Sequence, residues 1–313
     1  MRIVFMGTPE FAVPSLKYLV LHRYQVVGVY TQPDKPVGRG RSPVPSPVKR
    51  AALDLNLPVA QPANLRDVKV VPQLAELRPE VVVVAAFGQL LPQSVLAVPA
   101  YGCVNIHPSL LPRFRGASPV AAAILAGERF TGVSLMQMDK GLDTGPILAQ
   151  AQIPISAGDS TGSLTTRLSF LASRLLVDVL PRWVEGEITP RPQAGSGATY
   201  CGVVSKKEGE IDWSLSAVEV DRRVRAFQPW PGAYTRWQGK RLEIIESSLL
   251  PPDEAVAVGQ VVARRRGSAV LGIGTGDGVL GILRLQLEGK RALSAVDFLR
   301  GQRQFLDAVL PSV

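Results

Sequence analysis

The run Val81–Ala86, VVVVAA, constrains this 313-residue chain more than any other segment. A strand without polar alternation needs both faces covered, the condition of an interior strand in a parallel sheet. Similar segments recur at Arg2–Met6 (RIVFM), Gln25–Thr31 (QVVGVYT), Gly102–Ile106 (GCVNI) and Gly132–Met138 (GVSLMQM). Apolar residues at helical spacing run from Phe11 to Leu21, and Ser160–Leu180 reads as a long amphipathic helix. Strands alternating with helices predict a Rossmann-like, doubly wound α/β domain with a mostly parallel sheet.

The pattern changes near residue 190. Pro190–Val204 has loop composition, and Ser216 with Glu219 forms an S-x-x-E capping box that opens a helix to about Phe227. Short strand-like segments follow at Ala233–Trp237, Arg241–Ser247, Gly259–Arg264, Ala269–Gly274 and Val279–Gln286. Asp277-Gly278 is a hairpin signal between the last two. These features predict a smaller, OB-like β-barrel domain. The expected organisation is a first domain over 1–189, a linker over 190–205 and a second domain over 206–313.

Composition narrows the function classes. Hydrophobic residues make up 46% and charged residues 19%, an ordinary globular balance. No apolar run approaches the ~20 residues that span a bilayer, so no membrane partner is expected. Met1–Gly7 starts as a short apolar strand without a cleavage site, so a secretory leader is not expected. Cys103 and Cys201 lie outside any C-x-x-C or Cys/His cluster, which points to a reducing cytoplasm and no metal site. Lys and Arg number 35 against 26 acids, a net charge of +9. That excess suits a polyanionic partner, and equally a solvated surface. Part of it is concentrated in Thr31–Arg50, TQPDKPVGRGRSPVPSPVKR, with five prolines, five basic residues and one acid. This segment reads as an irregular loop, with Ser46-Pro47 opening the helix after it.

Glycine-rich nucleotide signatures are missing where they would be expected. Gly7-Thr8-Pro9-Glu10-Phe11 after the first strand is neither G-x-G-x-x-G nor a phosphate-binding loop, which removes the sequence support for hydride transfer or ATP hydrolysis. Only His22 and His107 could serve histidine chemistry, and His22 ends a surface helix. His107 follows a buried strand in Asn105-Ile106-His107-Pro108-Ser109-Leu110-Leu111-Pro112-Arg113-Phe114-Arg115-Gly116. Strand alternation puts Asn105 and His107 on one side, an amide donor beside an imidazole, as carbonyl addition requires. Taken alone, a strand-end histidine is more often structural.

A second stretch, Met138-Asp139-Lys140-Gly141-Leu142-Asp143-Thr144-Gly145, offers a carboxylate in a glycine-rich loop. Together the two stretches resemble the folate-dependent formyltransferases, whose signature pairs N-x-H-x-S-L-L-P-x-x-x-G with D-x-G-x-D-T-G. The resemblance implies that Asn105, His107 and Asp143 are catalytic, and that Ser109, Leu110, Leu111 and Pro112 line a folate pocket. It places Phe87, Gly88, Gln89 and Leu90 around the pterin. Similarity extends to Gly7–Ala12, the Thr31–Lys49 loop, Ile211–Ser214 and Arg225–Pro231, hence to nearly the whole chain. It implies 10-formyltetrahydrofolate as co-substrate, initiator methionyl-tRNA as partner and a monomer. It implies tRNA contacts from Lys35, Arg39, Arg41 and Lys49. Arg222, Arg223, Arg225 and Arg264–Arg266 are candidates for further phosphate contacts. A small-amine formyltransferase and a non-catalytic RNA-binding protein remain the alternatives.

Overall fold

The computed structural model describes residues 1–37, 42–251, 256–263 and 269–312. They divide into two compact units. One comprises Met1–Pro119, Phe130–Pro154 and Thr165–Cys201, and the other Val120–Arg129, Ile155–Leu164 and Gly202–Val313.

The first unit begins with β1 (Arg2–Gly7), α1 (Val13–Leu21) and β2 (Gln25–Tyr30). A short ribbon of β3 (Lys35–Val37) and β4 (Ser42–Val44) leads into α2 (Pro47–Asp54), β5 (Val59–Ala60) and α3 (Val70–Glu76). Then come β6 (Val81–Ala85), α4 (Gln93–Leu96), β7 (Cys103–His107) and β8 (Arg115–Gly116), followed by α5 (Pro119–Leu125), which apart from Pro119 belongs to the second unit. The strands β9 (Phe130–Gln137) and β10 (Ile147–Pro154), the helix α6 (Thr161–Val184) and β11 (Tyr200–Cys201) complete the series. The main sheet runs β10-β9-β7-β6-β1-β2-β5 among the described residues. Its pairings from β7 through β5 are parallel, whereas β9 and β10 are antiparallel to their neighbours. Val81 to Ala85 are all buried, as the unbroken valine run requires. Leu168, Ala172, Leu176 and Leu180 form the buried stripe of α6 at a spacing of four. The chain reverses direction across the sheet between β1 and β6, and such a switch point opens a crevice at the strands' carboxyl ends.

The Thr31–Arg50 segment departs from the irregular loop expected of it. β3 and β4 pair antiparallel with Pro36 opposite Pro43, and α2 follows. The prolines' missing donors do no harm, because this ribbon pairs with no other strand among the described residues. Ser46 caps α2 as its sequence suggests, its hydroxyl accepting from the Lys49 amide. β10 was not anticipated from sequence. It is an edge strand whose outer half alternates only weakly between buried and exposed.

The second unit holds α7 (Ala217–Ala226), β12 (Ala233–Trp237), β13 (Lys240–Leu249), β14 (Val261–Ala263), β15 (Leu271–Gly274), β16 (Val279–Leu287), β17 (Leu293–Ser294) and α8 (Ala295–Gly301). The strands form one antiparallel sheet, β12-β13-β16-β15-β14, with β17 beside β16. Register shifts around Glu246 curl β13 against β16. The sheet wraps a core built on Trp213, Val220, Leu242, Ile244, Leu280, Ile282, Phe298 and Phe305. Ser216 and Glu219 do form the reciprocal capping box of α7, a contribution of about 0.5–2 kcal/mol. Gly278, at φ +85°, makes the β15–β16 turn that Asp277-Gly278 announces.

Arg225 is corrected from a phosphate contact to a structural residue. Its Nε lies 2.8 Å from Asp221 Oδ2, and its Nη1 donates to the Asp159 carbonyl at 3.2 Å. Arg222 and Arg223 are half-buried, and Arg264–Arg266 lie outside the described residues.

Candidate active site

Three neighbouring strands lay the floor of a cavity. Val84 of β6, Asn105 of β7 and Met136 of β9 sit in one cross-sheet row, and all three line it. The cavity measures about 620 Å³, within the ~300–1,000 Å³ of small-molecule sites. Phe87, Gly88, Gln89 and Leu90 form one wall, together with Arg66 and Leu91. Asp139 to Asp143 line the cavity as well. The wall is held from behind. Thr8 Oγ1 and Gln32 Nε2 donate to the Phe87 carbonyl, and the Gln89 carboxamide binds Leu65 N and Pro62 O.

Asn105, His107 and Asp143 converge as the motif pattern suggests. Asn105 Nδ2 donates to Asp143 Oδ1 at 3.3 Å, and the Gly116 amide donates to Oδ2 at 2.8 Å. His107 Nδ1 lies 3.6 Å from the same Oδ2. His107 Nε2 is 2.9 Å from the Phe114 carbonyl, which only accepts, so Nε2 carries a proton. Burial pushes the His107 pKa below its ordinary value, outweighing the Asp143 charge and the Phe114 carbonyl, which both raise it. The imidazole is therefore neutral near pH 7, with its Nδ1 lone pair beside the carboxylate. A proton accepted at Nδ1 yields an imidazolium held between a carbonyl and a carboxylate.

Ser109–Pro112 do not line the cavity, contrary to the sequence reading. The Ser109 hydroxyl is fully buried and donates to the Arg113 carbonyl. Leu111 packs against Met136 and Ile147, and Gln150 donates to its carbonyl. This segment is the buttress that carries Phe114 O and Gly116 N to the polar cluster. Lys49 also differs from expectation, since its ammonium is 2.7 Å from Asp34 Oδ2. Lys35 is exposed, and Arg39 and Arg41 lie outside the described residues.

Residues that sequence reading missed complete the centre. Gly116 was in the motif pattern, yet its role is its backbone N–H. Gln193 carried no local signal at all. Burial pushes the Cys103 thiol up to about 12 and raises Cys201 as well, so neither provides a thiolate nucleophile near pH 7.

A Rossmann-like sheet thus carries an Asn–His–Asp cluster at a small-molecule cavity, and the sequence comparisons say to which class of protein the chain belongs. Residues 1–180 match the formyl transferase family and residues 203–303 the formyl transferase C-terminal domain. The chain belongs to the formyltransferase family. Among curated relatives, the methionyl-tRNA formyltransferase of Dehalococcoides mccartyi is 48% identical over 97% of both chains. That of Marinobacter nauticus is 47% identical over 98% of both. Among solved structures, the sugar 3N-formyl transferase WlaRD matches with a TM-score of 0.65 at 20% identity, covering 93% of this chain and 99% of that one. At that identity it supports the fold.

Proposed function

We propose that this protein formylates the α-amine of methionine carried on initiator tRNA, using 10-formyltetrahydrofolate. The observation that carries this reading is 47–48% identity to curated methionyl-tRNA formyltransferases along both domains, together with the polar cluster that this chain assembles. The cavity suits the co-substrate. Its floor and one wall offer apolar surface for a flat ring, and Arg66 and Lys140 at its edge offer charge for an acidic tail. When bound, the formyl-folate supplies an activated formyl group; the protein's residues do the rest.

The amide of Asn105 has two N–H bonds and spends one on Asp143. The other is free for the negative charge that develops on the formyl oxygen, a contact worth about 10²–10³ in rate. His107 Nδ1 is the base that takes the proton shed by the attacking amine, and it returns that proton to the folate nitrogen as the bond from that nitrogen to the formyl carbon breaks and tetrahydrofolate leaves. Asp143 Oδ2, 3.6 Å from Nδ1, stabilises the imidazolium that results, which places a cation beside the same oxygen. We further propose that residues 1–189 act as the catalytic domain, 206–313 as the tRNA-binding domain, and that the protein works as a cytoplasmic monomer. Among the described residues no helix is long and apolar enough to cross a membrane.

A transfer assay with purified protein, formyl-folate and methionyl-tRNA tests the reading against a dTDP-amino sugar as rival acceptor. Formylation of the sugar but not of the tRNA would overturn it. The pH dependence is a second test. The acceptor amine must be neutral, with an ordinary α-amine pKa of about 7.7–8.0. His107 titrates below 6.5. Activity per substrate should therefore climb through about pH 7.7 with the amine, and a second, acidic limb from His107 should lie below pH 6.5. A His107 limb above pH 7 would contradict the assignment.

The basic Thr31–Lys49 segment is proposed to select the tRNA. A wedging Arg39 opens a stem end only where pairing is weak, which converts pairing strength into selection. Arg39→Ala should cost initiator tRNA about tenfold and an elongator methionine tRNA far less. Equal losses for both would reduce the residue to a general phosphate contact.

A further inference from the structure

Residues 190–201 were expected to be linker, and they lie between the two family matches. In the structure they form a strap on the first unit, tied to both loops that build the catalytic cluster. Arg191 exchanges backbone hydrogen bonds with Ile147, just past the Asp143 loop. Thr199 Oγ1 accepts from the Phe114 amide and Thr199 O from the Arg115 amide. Tyr200 and Cys201 of β11 then pair with Arg115 and Gly116 of β8.

Gln193 is the polar centre of the strap. Its Nε2 donates to the Asp143 carbonyl at 2.9 Å and the Gly145 carbonyl at 2.7 Å. Its Oε1 accepts from Arg115 Nε at 3.1 Å and Nη2 at 2.7 Å. Both hydrogens and both lone pairs are used, and the amide has one sensible orientation, since a flip would turn N–H groups on a guanidinium. Arg115 is itself buried, with its Nη1 on the Tyr200 hydroxyl. The clasp matters because Asp143 stands at φ +53°, a conformation a non-glycine residue holds only where its surroundings over-determine it.

We propose that Gln193 is a positioning residue of the formyl-transfer reaction, locking the Asp143 loop to Arg115 so that the carboxylate stays between Asn105 and His107. This rests on the catalytic reading of Asp143. No side chain of the strap needs to touch a substrate for the effect.

Gln193→Glu is the direct test. It keeps the partnership with Arg115 and removes both donors to the Asp143 loop, setting a carboxylate oxygen against two carbonyls. Gln193 is half-buried on a loop, outside every helix and strand. The rate of the chemical step should fall about tenfold or more, while KM for formyl-folate moves less than threefold. In an Asp143→Asn background the same change should add little, because the two act through one group. The two histidines make an activity-independent readout possible by NMR. Of the groups facing His107, Asp143 and the Phe114 carbonyl raise its pKa, so loosening Asp143 should lower the His107 midpoint further. Gln193→Met, which keeps the bulk and loses every hydrogen bond, should reproduce these shifts if Gln193→Glu is poorly folded. Full additivity with Asp143→Asn, or wild-type rates with an unmoved His107 midpoint, would overturn the positioning role. A shifted midpoint in a protein without formyl transfer to methionyl-tRNA would instead fault the functional reading alone.

Discussion

Asp143→Asn should fold normally and lose about 10²–10⁴ of the single-turnover rate, the range seen when an acid–base or orienting carboxylate is neutralised. Asparagine is the informative replacement because it tolerates the positive φ of this position better than alanine does. Its side-chain oxygen can still accept from the Gly116 amide, so the loop keeps its shape. What disappears is the charge. With that oxygen on Gly116, an NH2 group faces Asn105, which loses the hydrogen bond that orients its amide, and His107 loses the anion that would stabilise its protonated form. The His107 midpoint should fall below that of the wild type, since the Asp143 charge is the main influence opposing burial. Near wild-type single-turnover rates in a folded Asp143→Asn protein would remove Asp143 from the mechanism.

The parts of this site that sequence revealed are those governed by local rules. Unbroken apolar runs marked β6 and β7, and period-two alternation placed Asn105 and His107 on one face. Capping chemistry located the starts of α2 and α7 from Ser46 and Ser216. Asp143 was reachable only through its motif, because nothing local says that its loop folds back 38 residues to reach Asn105. Lys49 looked free until Asp34, 15 residues earlier, was seen to neutralise it. The Ser109–Pro112 turn was placed in the pocket because its motif adjoins His107. Its side chains point instead into the packing beneath, where Ser134 and Gln150 satisfy its backbone. The strap was least legible of all. Proline, glycine and serine around Gln193 have the composition of a free linker, and its contacts reach 48 to 78 residues back along the chain.

Gly116→Ala should damage stability and catalysis together, through one added methyl group. The Gly116 amide holds Asp143 Oδ2, while the residue sits at φ +113°, where side chains are rarely accommodated. A Cβ built there would approach the Cys201 carbonyl oxygen to 2.3 Å, and backbone offers no rotamer with which to escape. Strain of this kind costs roughly 1–3 kcal/mol, and the overlap a similar amount. Relief requires β8 to part from β11, which also carries the Gly116 amide and the Phe114 carbonyl away from Asp143 and His107. The expected result is a melting temperature lower by several degrees and a chemical step slower by about 10²-fold, the scale of a misplaced catalytic group. Gly195→Ala is the matched control, since it lies in the same strap with no atom within 4 Å of a built Cβ. It should leave the rate unchanged. A Gly116→Ala protein with the control's rate and melting temperature would show that the two short strands do not have to stay paired for the cluster to work. In that case Asp143 would owe its position to Asn105 and Gln193 alone.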